Sequence, residues 1–95
     1  MNGTEHGYKL LGAAIVAQAG VDYLEAKKRL SNMNRDTAAA KELMGTILAI
    51  KNFFRSEWCS LLTDVDGEHL MHEIDKEYIR WKIEENKKLG KTLEL

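Results

Sequence analysis

The sequence predicts an all-α fold, a three-helix antiparallel bundle with a long first helix. Apolar residues recur at spacings of three and four along three separate segments, which is the period of an amphipathic helix. The 95 residues include no proline, so no segment has to stop for steric reasons. A chain this short holds one core. We therefore expect a single helical domain over residues 1–95, with frayed ends at about 1–4 and 90–95.

The first helix is predicted over about residues 5–32. Its inward-facing positions repeat at three and four and continue into the following turn: Val16, Ala19, Tyr23, Ala26, Leu30 and Met33. This repeat is typical of a helix that packs along a seam.

A polar break follows the first helix, and Asn34 or Asp36 is predicted to cap the start of the second. The second helix repeats the same spacing and carries a second apolar flank; the two sets are Ala40, Leu43, Ile47, Ile50 and Phe54, and Met44, Leu48, Phe53, Trp58 and Leu61. Because the connection is short, the first two helices should be antiparallel neighbours.

The rings of Phe53, Phe54 and Trp58 cannot share one narrow helix face. Either a second copy of the chain covers one of these rings and dimerisation completes the core, or the monomer buries all three rings by itself.

Asp66 is predicted to cap the third long helix, and Gly90 to end it. Its apolar line is Leu70, Ile74, Tyr78 and Trp81. A short turn of helix is also allowed around residues 56–62. We expect the three apolar ridges to close on each other and to leave no cleft for chemistry.

A cytoplasmic location is predicted from three features. The segment from Leu10 to Ala19, LLGAAIVAQA, resembles a short signal peptide, but the helical repeat runs through it without a break. No stretch approaches the roughly 18 apolar residues of a membrane span, so we expect no membrane association. Cys59 is the only cysteine, which fits a reducing compartment, and we expect its thiol to be buried.

The charges are divided between the two halves of the chain. Residues 1–55 carry eight basic and five acidic side chains, a net charge of +3, and residues 56–95 carry six and ten, a net charge of -4. DNA-binding domains are more often basic overall, so direct nucleic-acid binding is disfavoured. One alternative stays open, a nucleic-acid-binding regulator that uses the basic turn within residues 27–41. Its candidate residues are Lys27, Lys28, Arg29, Arg35 and Lys41.

A second alternative is a metal-binding or catalytic role for His69, His72 and Glu73. Their spacings of three and four place them on one face of a helix, where they could hold zinc or iron. Leu70 and Met71 are expected to take the inward face, which turns the histidines outward. The sequence has no Gly-rich phosphate loop and no nucleophile elbow. We therefore predict no enzymatic activity, no metal and no cofactor.

The run from Phe53 to Glu68, FFRSEWCSLLTDVDGE, resembles a family of short uncharacterised proteins encoded on phages and integrative elements of Firmicutes. The similar run there has two aromatics, Arg-Ser-Asp/Glu-Trp, Leu-Thr and Asp-Gly-Glu. The segment from Ala14 to Ala19 is similar to that family's opening helix, and the likeness covers about residues 8–80.

This resemblance implies a small mobile-element protein in a bacterial cytoplasm. The function it implies is non-enzymatic: a helical face binds a host or element protein, as in an anti-CRISPR-like inhibitor of a defence nuclease. On that basis the predicted partner-binding residues are Arg55, Trp58, Asp64, Asp66 and Glu68.

Overall fold

The computed structural model describes residues 2–90, with side chains described from residue 10 onward. It contains four helices: α1 (Asn2–Ser31), α2 (Ala38–Phe54), α3 (Glu57–Leu62) and α4 (Gly67–Lys88). The described residues include no strand, so the predicted all-α class is confirmed. The fourth helix is the short α3, which lies where a turn of helix was allowed. Frayed ends were predicted at about residues 1–4 and 90–95: Met1 and residues 91–95 lie outside the described part of the chain, whereas residues 2–4 belong to α1.

α1 runs along the centre of the molecule and contacts all three other helices. The end of α2 reaches the middle of α1, where the rings of Phe54 and Tyr23 lie 6.1 Å apart at an angle of 77°. α4 then runs in the same direction as α1, because Ile74 lies against Gly20 and Trp81, farther along α4, lies against Lys28. α2 is therefore antiparallel to both long neighbours.

The core is small and lies where the four helices meet. Its buried cluster consists of Val16, Tyr23, Phe54, Cys59, Leu62 and Met71. The inward repeat predicted for α1 is confirmed at its buried positions, which are Val16, Tyr23, Ala26 and Leu30. The molecule is elongated, with dimensions of 60 × 28 × 17 Å. Among the described residues, no helix is long and apolar enough to cross a membrane.

The predicted second flank of α2 is wrong at three of its five positions, because Leu48, Trp58 and Leu61 are 57%, 55% and 77% exposed. α2 ends at Phe54, so Trp58 and Leu61 do not belong to it. The chain turns at this point because Ser56 caps a new helix, α3, instead of continuing α2.

The predicted cap of α2 is also wrong, because Thr37 caps the helix instead of Asn34 or Asp36. Its hydroxyl oxygen accepts the backbone N–H of Ala40 at 3.1 Å. The side-chain oxygen of Asn34 accepts the N–H of Asp36 inside the turn, so it stabilises the turn before α2 and not the first turn of the helix. The predicted end of α4 fits the structure: Gly90, which follows the helix, has a φ of 70°, a conformation that favours glycine.

Replacing the cap, Thr37→Ala, should lower the free energy of unfolding by about 1 kcal/mol, because one N–H of the first turn of α2 loses its acceptor. Asp36→Ala is the matched control in the same turn and should change stability by less than about 0.5 kcal/mol. Urea unfolding followed by circular dichroism measures both. Equal effects of the two substitutions would contradict this assignment of the cap.

Candidate functional site

The predicted partner-binding residues lie around α3, where the chain passes from α2 to α4. Ser56 makes the first turn possible: its hydroxyl donates to the carbonyl of Phe53 at 2.6 Å and accepts the N–H of Cys59 at 3.2 Å. These two bonds end α2 and start α3 without a glycine or proline. α3 has six residues, enough to bury one side only, and Cys59 and Leu62 occupy that side.

The second turn leads into α4. The Asp66 carboxylate accepts the N–H of Glu68 at 3.2 Å, so Asp66 caps α4 as predicted. Gly67 lies against the last residue of α2, and a Cβ built on it would be 1.8 Å from the carbonyl oxygen of Phe54. The start of α4 is therefore fixed to the end of α2 by a backbone contact that only glycine allows.

An ion pair spans the two turns. The Arg55 Nε donates to Glu68 Oε1 at 2.5 Å, and the two side chains are 53% and 59% exposed. An open cleft of about 490 Å³ lies beside this pair, which contradicts the expectation that the helices leave no cleft. Its polar lining includes Arg55, Ser56, Glu57, Ser60, Asp66 and Glu68.

α3 presents an apolar side as well as a polar one. Glu57 and Ser60 line the cleft, whereas Trp58 and Leu61 lie three positions apart, on a neighbouring side of the helix. Leu61 and Val65 line a second hollow, of about 330 Å³, together with Asp64 and Ala13 of α1. Val65 lines both concavities, so the cleft and the hollow are adjacent.

We call residues 55–68 the acidic corner. The segment has one basic residue, Arg55, and four acidic residues, which gives a net charge of -3. The acids are Glu57, Asp64, Asp66 and Glu68. All five predicted partner-binding residues therefore lie in one corner of the molecule. Three of them also have internal contacts, since Arg55 pairs with Glu68 and Asp66 caps α4.

Two exposed apolar residues of the acidic corner, Leu61 and Val65, were missed by the sequence analysis. Leu61 was assigned to the flank of α2, because the break at Ser56 carries no strong sequence signal. The spacing of Cys59 and Leu62, both buried, places Trp58 and Leu61 together on an exposed side once α3 is treated as a separate helix.

The candidate residues of the basic turn do not form one available surface. The Lys27 ammonium group pairs with Asp75 of α4 and lies 4.7 Å from the ring centre of Tyr78. The Lys28 ammonium group lies 5.4 Å from the ring centre of Trp81. Both lysines therefore hold α1 to α4. The exposed members of the set are Arg29, Arg35 and Lys41.

The pairing of Lys27 belongs to a network at the α1–α4 contact. The hydroxyl of Tyr23, whose residue is fully buried, donates to Asp75 Oδ1 at 2.8 Å. Burial works to raise the pKa of Asp75, but hydrogen bonds from Lys27 and Tyr23 and the charges of Lys27 and Lys51 lower it overall. Burial, and then the Asp75 carboxylate, raise the pKa of Tyr23. Asp75 thus accepts hydrogen bonds from Tyr23 and Lys27, and this network joins α1 to α4.

His69, His72 and Glu73 lie on an exposed face of α4. The side chain of Glu73 pairs with Lys76 at 3.0 Å, and this hydrogen bond is the main reason that the pKa of Glu73 is lowered. Within the described residues, no group of three or more His, Cys, Asp or Glu side chains is placed to hold a metal ion. Cys59 is buried as predicted, and burial raises the pKa of its thiol, which disfavours the reactive thiolate.

Comparisons of the chain with family models, with curated proteins and with solved structures found no significant match.

Proposed function

We propose that the protein is a non-enzymatic interaction protein of a phage or mobile element, which binds a partner protein through the acidic corner. The observation that carries this proposal is the exposure of Trp58 and Leu61, 55% and 77%, inside a segment of net charge -3. The mechanism is steric: the corner occupies a surface that the partner needs.

Tryptophan supports this proposal because it is the residue most enriched among those that dominate binding energy at protein interfaces. α3 is too short to bury Trp58 within the monomer, and a partner pocket would remove its ring from water. Charged residues at the rim of an interface mainly steer association and select the partner. Asp64 and Glu57, both exposed, are suited to that role.

The charge of the corner defines the kind of partner. An acidic rim around an apolar side chain fits a basic protein surface with an apolar pocket. Proteins that bind nucleic acid carry such basic surfaces, since they neutralise phosphates. A defence nuclease of the bacterial host is therefore the partner class that we propose, in agreement with the family resemblance of the Phe53–Glu68 run.

Rigidity of the corner is part of the proposal. α3 contacts both α1 and α2, and the Arg55–Glu68 ion pair joins the two turns on either side of α3. A preformed binding surface loses less entropy on association than a mobile one does.

The test combines Trp58→Ala with Asp64→Asn, because both side chains are exposed and neither caps a helix. We expect this double variant to bind a captured host nuclease about thirtyfold more weakly than the wild-type chain does, the effect of losing a dominant interface residue. Binding is measured by interferometry with the protein that wild-type bait retains from a Firmicutes lysate. Expression of the wild-type chain should also raise phage plating on a host with an active nuclease defence.

The matched control is Ile79→Ala with Glu84→Gln on α4. Ile79 is 55% exposed, as Trp58 is, and Glu84 is an exposed acid. This control should bind and protect like the wild-type chain. Equal losses in both double variants, or a lysate from which the bait retains no host protein, would overturn the proposal.

A further inference from the structure

α1 has an apolar surface that the fold leaves open. Residues 10–21 contain no charged side chain, yet only part of this helical segment faces the core. Leu10, Leu11, Ile15 and Val21 are 58%, 61%, 41% and 56% exposed. A helix that is apolar on all sides is normally buried on all sides.

The exposed residues form a row. Leu10, Ala14, Ala17 and Val21 recur at spacings of four, three and four, and all four are exposed. Leu11 and Ile15 extend this row on one side, and we call the six residues the outer face of α1. Spacings of three and four are those of a helix–helix seam, and the two central alanines let another helix approach closely.

We infer that the outer face of α1 binds a second copy of the chain, with the two α1 helices antiparallel. The row is self-complementary in this orientation: Leu10 of one copy lies opposite Val21 of the other, and Ala14 lies opposite Ala17. Large side chains then meet at both ends of the contact, around a centre of small ones. Such an isologous contact closes after two copies.

Charge does not oppose this pairing. Residues 10–21 carry no charged side chain, so two copies of the outer face meet without like-charge repulsion.

The exposure of the apolar side chains favours a dimer. Leu10, Leu11, Ile15 and Val21 are between 41% and 61% exposed, and contact with a second copy would remove this apolar surface from water. The proposed partner site at the acidic corner consists of other residues and does not depend on this dimer.

The first test is the oligomeric state in solution. Sedimentation equilibrium should give a dimer for the wild-type chain at micromolar concentration. Ala17→Glu places a charge at the centre of the outer face and should raise the dissociation constant about a hundredfold. Ala49→Glu, an exposed alanine of α2, is the matched control and should remain a dimer. Both alanines are exposed, so we expect both variants to keep their helix content, and circular dichroism measures it.

The second test fixes the orientation. Leu10→Cys and Val21→Cys chains are mixed and oxidised mildly, while buried Cys59 stays reduced. Mass spectrometry should find disulfides that link position 10 to position 21. Links from position 10 to position 10 alone would overturn the antiparallel arrangement. A wild-type monomer at all concentrations, or a monomer that binds vesicles of mixed neutral and anionic phospholipids, would overturn the dimer itself.

Discussion

Gly67→Ala is expected to lower the free energy of unfolding by about 3 kcal/mol, at the upper end of overpacking effects. The new Cβ would lie 1.8 Å from the carbonyl oxygen and 2.7 Å from the carbonyl carbon of Phe54. Both are backbone atoms, so no side chain can turn away to make room. The end of α2 and the start of α4 must separate, which also disturbs the acidic corner. Thermal unfolding should shift downward by about 12 °C or more.

Gly45→Ala is the matched control for this substitution. Gly45 lies in the middle of α2, and a Cβ built there meets no atom within 4 Å. Alanine should therefore stabilise the protein by up to about 1 kcal/mol through its helix propensity alone. The two glycine variants should thus change stability in opposite directions. A Gly67→Ala protein as stable as the wild type would contradict the close contact between the turns.

The difference between these two glycines shows what periodicity can and cannot predict. Spacing identified the inward side of α1 and the cap of α4, because both depend on residues close in sequence. It gave no sign that Gly67 must touch Phe54, since that contact depends on how two helices meet. The short helix α3 was allowed around residues 56–62, but Trp58 and Leu61 were still assigned to the flank of α2, because a single serine is only a weak sequence signal for a helix start.

The five partner-binding residues came from a resemblance and lie within 14 consecutive positions, residues 55–68, so their closeness follows from the sequence itself. Their role in binding stays a prediction. The apolar half of the corner, Leu61 and Val65, could not be predicted while Leu61 was assigned to α2. Similarly, Lys27 was a candidate nucleic-acid-binding residue, because the sequence does not show that it meets an acid 48 positions away.

Asp75→Ala is expected to cost about 2 kcal/mol of stability at neutral pH, because the buried hydroxyl of Tyr23 loses its acceptor. The Lys27 ammonium group loses its carboxylate in the same step. Asp22→Ala is the matched control: Asp22 is an exposed acid on α1 whose carboxylate accepts from Gln18. That substitution should change stability by less than about 0.5 kcal/mol.

The pH dependence of this effect follows from the direction of the Asp75 shift. Its pKa is lower in the folded chain than in the unfolded one, where it is about 3.9. The stabilisation is therefore complete above the unfolded value and is lost as the pH falls through the lower, folded value. The stability difference between wild type and Asp75→Ala should be constant from pH 7 to about 5 and should shrink below about 4. Urea titrations at each pH measure it; a difference that stays constant down to pH 2 would show that the ionised carboxylate does not hold α1 to α4.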